Sequence, residues 1–366
     1  MIKYTKNDIT LMQYIFLIHG VQTSIGVFRL TPNLAEKAGT DGWISLVLGY
    51  ILTTIASLII IQVMKKYPNG TIIDLLSHYF GKWIGKIAAI LFGVYFGFLA
   101  ILSFTGSIIY LQALVFPQLS ALVISMLAAI PSYLIARNGV KVLGRYAEFV
   151  FFMITWVFFI FLIPFDRFHW LHLLPILKEG FTPILSAVRE TIFPFSGFEI
   201  AFFLYPFLQR RQDAGKGIVI ANTITMVTYL WFTLLLFAYF SPDGIALFHT
   251  PIIDFLKIIQ FEFVERVDII VLTLFSFKMS TNWIVLMYLT VFCSSQLMGH
   301  TDHKKHLRLF LSLILIVLIV YPPSFPRIGS LIKIAIPIII TVAYLLPAFL
   351  WAAVSIRSHM LRRKSG

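Results

Sequence analysis

Gly20-Val21-Gln22-Thr23-Ser24-Ile25-Gly26 and Phe193-Pro194-Phe195-Ser196-Gly197-Phe198-Glu199 are the two stretches on which the reading of this chain turns. Each puts small, polar or ring-locked residues about a dozen positions into a segment otherwise apolar enough to cross a bilayer. Gly and Pro weaken an α-helix by about 1 and 3 kcal/mol per residue. In hydrocarbon the freed backbone groups need partners, so a broken helix survives only inside protein or beside a cavity. Paired interruptions at corresponding positions of two halves point to a transporter-type binding site.

The rest of the chain fits that setting. Of its 366 residues 59% are hydrophobic and 12% charged, and 36 are Phe; a soluble domain carries about 25% charge. The chain is predicted to be an all-α polytopic membrane protein whose main partner is the lipid bilayer. The net charge of +13 does not indicate nucleic acid, because Lys and Arg gather in short loops between apolar runs. The lone Cys293 rules out an internal disulfide and a Cys-based metal site. Lys3, Lys6 and Asp8 precede the first apolar stretch and no small-residue cleavage site follows it, so that stretch reads as a retained helix.

Ten segments approach the required length of about 20 residues, at roughly 10–30, 42–64, 86–115, 119–136, 143–164, 186–207, 217–240, 268–296, 307–321 and 333–356. With the N-terminus inside, nineteen of the 29 Lys and Arg fall in inner segments and nine in outer ones, which places both termini in the cytoplasm. Thr71–Trp83 and Pro251–Val264 carry Ile72, Leu75, Leu76 and Tyr79, and Ile252, Phe255, Leu256 and Ile259, at helical spacing. Both read as amphipathic interfacial helices. One follows the second segment on the inside, the other follows the seventh on the outside. A five-segment unit inserted twice, the second time upside down, produces this layout and makes the two interrupted segments equivalent. The prediction is a single membrane domain over 1–366, with repeats at about 8–165 and 184–357.

Candidate binding residues follow from the breaks. An unwound turn at Gly20–Gly26 presents Gln22, Thr23 and Ser24 at mid-membrane, where a half-helix N-terminus attracts a carboxylate; Gly20 and Ser24 also form a small-xxx-small packing pair. In the second break Ser196 and Gly197 allow close approach and Phe195 and Phe198 form apolar walls. Glu199 is an intramembrane carboxylate and therefore a functional candidate; it can also tie the broken helix to a nearby amide. Lys278 lies near the midplane and needs an anion, either Glu199 or a ligand carboxylate, or else it sits where other carriers place a sodium ion. Thr281, with Ser280 and Asn282, and Tyr95 are similarly deep, as ligand contacts or as helix-to-helix glue. His19 beside the first break reads as structural. His300, His303 and His306 with Asp302 match metal spacing only loosely in a solvated inner loop. No P-loop, nucleophile elbow, HExxH motif or catalytic carboxylate pair is present, so neither an enzyme nor a cofactor is expected.

These residues resemble the B subunit of GerA-type spore germinant receptors, a branch of the amino acid–polyamine–organocation superfamily. The resemblance spans nearly the whole chain. It rests on the interrupted first segment, Asp41-Gly42-Trp43, Gly81-Lys82-Trp83-Ile84-Gly85, Gly197-Phe198-Glu199, Glu265-Arg266 and Tyr321-Pro322. It implies a LeuT-like fold of ten helices with helices 1 and 6 broken, and residence in the spore inner membrane. It implies an A subunit and a lipoprotein C subunit as partners, and a small germinant as ligand. Carried over by position, the pocket comprises the Gly20–Gly26 break, Tyr95, the Phe195–Glu199 break and Thr281. The fifth segment lacks a mid-membrane Lys or Arg, unlike some related carriers, and Lys278 lies outside the family pattern. The function expected is a nutrient sensor, an amino acid being the natural ligand; the alternative is a proton- or ion-coupled amino acid permease.

Overall fold

A computed structural model describes residues 8–178, 180–245, 247–248, 250–262, 266–299 and 303–365. Lys3, Lys6, Glu179, Glu265, His300 and Asp302 lie outside the described residues. Helix α1 (Leu11–Gln22) is capped by Thr10, whose hydroxyl accepts Gln13 N–H at 3.2 Å while Gln13 Oε1 accepts Thr10 N–H at 3.2 Å. That reciprocal pairing satisfies two amides that a helix start leaves without partners. After a three-residue gap α2 (Gly26–Ala38) follows, then α3 (Gly42–Met64), α4 (Ile72–Phe80), α5 (Lys82–Leu114), α6 (Ala121–Ala136), α7 (Val140–Thr155) and α8 (Val157–Ile160). The second half comprises α9 (Phe181–Phe195), α10 (Ala201–Leu204), α11 (Ala214–Phe240), α12 (Pro242–Ile245), α13 (Pro251–Leu256), α14 (Val267–Met298), α15 (His303–Val320), α16 (Phe325–Ile339) and α17 (Leu346–Ser365), the last two joined through a π-helical turn at Ile340–Leu345.

All ten apolar segments predicted from the sequence fold as helix. Among the described residues six helical stretches are long and apolar enough to cross a membrane: Gly26–Met64, Lys82–Leu114, Val140–Ile160, Arg211–Phe240, Val267–Met298 and Phe325–Ser358. The two interrupted segments fall short because each is split, α1 having 12 residues and α9 15 against about 20 for a span. The outward faces of α3 and α5 are apolar and exposed, at Ile51, Leu52 and Ile55 and at Ile87, Leu91 and Val94. A soluble domain does not tolerate such continuous apolar faces; hydrocarbon does. α4 buries Ile72, Leu75 and Leu76 as their spacing predicted; the second interfacial helix, expected over Pro251–Val264, is helical among the described residues only over Pro251–Leu256, where Ile252, Phe255 and Leu256 are buried.

Packing repeats under exchange of the two halves. α5 lies along α14 and α3 along α11; α1 packs on α11 as α9 packs on α3, α1 on α7 as α9 on α16, and α7 on α14 as α16 on α5. These contacts of one half thus have counterparts in the other, and α2 packs on α9.

Candidate functional site

The first break is short. Thr23 leaves the helix at φ −89°, ψ 89°, its N–H still donating to His19 O. Its hydroxyl donates to the same carbonyl at 2.7 Å. Val27 and Phe28 N–H then bond back to Ser24 O and Ile25 O at 3.2 and 3.3 Å, so α2 opens on a tight turn. The second break turns on Gly197, at φ +114°, a region that favours glycine. Glu199 Oε2 accepts Gly197 N–H at 2.8 Å and Glu199 Oε1 accepts the Tyr95 hydroxyl at 2.6 Å. Glu199 therefore ties the broken helix to its own amide and to α5, the structural alternative named above.

The breaks touch. A Cβ on Gly197 would stand 2.6 Å from Val21 Cγ1 and 3.1 Å from Val21 C, and one on Gly26 would stand 3.1 Å from Pro194 Cα. Only glycines permit this approach. The carbonyls that both breaks release are collected by α11. Tyr229 OH lies 2.9 Å from Gln22 O and 3.1 Å from Pro194 O. Gln22 Nε2 donates to Phe195 O and to Asn222 Oδ1 at 3.0 and 2.9 Å, and Gln22 Oε1 accepts from Thr225 at 2.7 Å. From α14, Asn282 Nδ2 donates to Val21 O. All of these groups are buried, where an unmet acceptor costs about 1–3 kcal/mol.

Between the breaks lies a cavity of about 20 Å³, bordered by Gln22, Ser24 and Gly26, by Ser196 and Gly197, by Leu99 and Ser103 of α5 and by Asn282 and Leu286 of α14. That volume holds about one water. Ser24 and Ser103 hydroxyls face each other at 3.0 Å. Asn282 Oδ1 is buried and has no hydrogen-bond partner among the described residues.

Of the thirteen residues expected at the site, Gln22, Ser24, Gly26, Ser196 and Gly197 border this cavity. The other eight do not line it. Gly20 packs against the Thr281 methyl, 2.6 Å from where its Cβ would be. Phe195 packs on Tyr229 and Phe198 on Tyr344, with ring centroids 5.6 and 5.3 Å apart. Tyr95 and Glu199 are spent on each other. The expected Glu199–Lys278 pair does not form: among the described residues Lys278 makes no ion pair, and it borders a separate apolar cavity of about 40 Å³ together with His19, Thr23 and Phe275. Lys278 and Asn282 are four apart and share one face of α14, but they stand a turn apart along it: Asn282 borders the inner cavity with Ser24, and Lys278 borders the other cavity with Thr23. Asn222, Thr225 and Tyr229 were missed. Their spacing of three and four put one polar stripe on an otherwise apolar helix, a signal the sequence did contain. Among the described residues no group of three or more His, Cys, Asp or Glu could hold a metal ion.

Comparison with known proteins agrees with this fold. A family model described as spore germination protein matches residues 8–328. Spore germination protein GerQB of Bacillus cereus is 28% identical over 267 residues, 73% of this chain and 74% of that one. Spore germination protein YndE of Bacillus subtilis (strain 168) is 27% identical over 290 residues, 77% and 79% of the two chains. The crystal structure of MhsT in complex with L-phenylalanine superposes with a TM-score of 0.67 at 14% identity, over 94% of this chain and 88% of that one. The shared fold is the LeuT-like one that the resemblance implied. By the family match over most of its length, this multi-pass membrane chain belongs to the spore germination protein family.

Proposed function

We propose that the chain is the ligand-binding membrane subunit of a germinant receptor. A small amino acid binds between the α1 and α9 breaks, and partner subunits convert that binding into germination. The observation that carries the reading is the enclosed cavity at the contact of two broken helices, with the Asn282 Oδ1 acceptor free beside it. An amino acid ammonium is a fitting donor for that oxygen, and the solved neighbour of the same fold is a complex with L-phenylalanine. At about 20 Å³ the cavity is far below the several hundred Å³ of a ligand pocket. Binding must therefore move the helices apart, so the ligand favours one conformation over another and can signal.

In this reading the chain crosses the spore inner membrane ten times with both termini in the cytoplasm. Its repeats run over about 8–165 and 184–357. It works with an A subunit and a lipoprotein C subunit. The test is a thermal-unfolding screen of the purified chain in nanodiscs against the amino acids, with Asn282→Ala beside wild type. A stabilising amino acid is expected, its effect lost in Asn282→Ala, together with no net uptake of that labelled amino acid into liposomes. Gradient-driven accumulation would make the protein a permease instead, and ligand stabilisation unchanged by Asn282→Ala would move the site elsewhere.

A further inference from the structure

A second and larger chamber lies at the far end of α2. That helix starts at the inner cavity with Gly26 and ends at Ala38, roughly 20 Å away at 1.5 Å per residue. There Thr40 and Asp41, the loop carrying His172 and Lys178, and Ser241 with Asp243 at the start of α12 enclose about 240 Å³, roughly tenfold the inner cavity. Asp41 belongs to the Asp-Gly-Trp motif that the breaks leave without a role.

Asp41 is the informative group. It is only 2% exposed. Its Oδ1 accepts Leu177 N–H at 2.9 Å, which holds the carboxylate in place. Among the described residues its Oδ2 has no hydrogen-bond partner, and Asp41 forms no ion pair. A carboxylate held through one oxygen, in the lining of a polar chamber, is a docking point for a cation. The neighbours are themselves fixed: Thr40 Oγ1 donates to Pro175 O at 3.2 Å, His172 Nδ1 donates to Ala238 O at 3.1 Å, and Ser241 Oγ accepts Gly244 N–H at 3.1 Å.

We propose that this chamber is a second binding site, for a small amino acid zwitterion whose ammonium docks on Asp41 and whose carboxylate faces Lys178. A divalent metal suits it less. Calcium takes six to eight oxygen ligands, and among the described residues no group of three or more His, Cys, Asp or Glu is gathered here or elsewhere. Lys178 in the lining opposes a bare cation and favours a ligand that carries both charges. The site stands apart from the inner cavity, from which the length of α2 separates it, and it accepts a ligand in the conformation in which the inner cavity is closed.

The experiment is saturation-transfer NMR on the full chain in nanodiscs with three probes of similar size: L-alanine, ethylamine and propionate. L-Alanine and ethylamine are expected to bind and propionate to give no signal. Asp41→Asn keeps the oxygen that Leu177 N–H needs but loses the charge. It should weaken ethylamine about tenfold or more, as expected for a lost charge-assisted hydrogen bond, with an unchanged unfolding temperature as the folding control. Lys178→Ala should weaken L-alanine several-fold and leave ethylamine as it was. Should Asp41→Asn fail to fold, Asp243→Asn at the exposed rim carries the test, with an expected loss of about two- to threefold. Equal ethylamine binding by wild type and the Asp variant overturns the proposal, as does propionate binding as well as ethylamine, or full displacement of ethylamine by calcium chloride at matched ionic strength. The inner-site reading fails separately, through Asn282→Ala.

Discussion

The break after α1 and the break after α9 leave similar backbone groups without helical partners, and they are repaired in different ways. The second break holds its own Gly197 amide through Glu199, two residues on, with Gly197 supplying the reversed φ, and leaves its Pro194 and Phe195 carbonyls to Tyr229 and Gln22. The first break is mended from outside. Its Gln22 carbonyl is taken by Tyr229 of α11, its Val21 carbonyl by Asn282 of α14, and its Gln22 side chain is held by Asn222 and Thr225. A turn held by its own side chain keeps its shape more readily when neighbouring helices move. A break mended by two neighbours changes shape whenever either one shifts. The first break is thus the more responsive element, and α11 and α14 are the helices through which it responds.

The comparison can be broken most sharply at Gly197. Gly197→Val forces a branched side chain into φ +114° and into Val21, whose Cγ1 lies 2.6 Å from the Cβ position. A loss of about 3 kcal/mol or more is expected, read as a large drop in thermal unfolding temperature in detergent. Wild-type stability would mean that the two breaks do not touch. A smaller effect is expected from Tyr229→Phe, which removes the donor serving Gln22 O and Pro194 O. The loss should be about 1–3 kcal/mol. Hydrogen exchange should rise in the first break more than in the second, and equal protection would erase the distinction drawn here. The smallest effect is expected at Lys278. Lys278→Met keeps the length and removes a buried charge that has no ion-pair partner among the described residues, so stability should be unchanged or higher. A marked loss of unfolding temperature would reveal a contact that the geometry does not contain.

Much of this was legible in the chain. Apolar runs near 20 residues, broken twice by Gly, Pro and small polar residues, specify a membrane bundle with two interrupted helices, because hydrocarbon punishes every unmet backbone group. The apolar faces of α4 and α13 could likewise be read from spacing. The site was legible only in part. Ser24, Gly26, Ser196 and Gly197 were found because break residues are marked by type. Glu199 and Lys278 looked like a pair because both are charged and deep, yet one is bound to Tyr95 and Gly197 while the other borders a different cavity.

Sequence alone determined the class, the helices and the two breaks, since those depend on the local cost of hydration and backbone geometry at each residue. Tertiary structure alone decided which side chains collect the released carbonyls, which face of α14 meets the cavity, and that Asp41 closes a chamber with His172 and Asp243. These are meetings of residues 35 to 261 positions apart, for example Tyr229 with Pro194 and Val21 with Asn282. Depth and polarity can be inferred from a residue's neighbours in the chain. Direction around a helix, and therefore partnership, is set by how the helices pack.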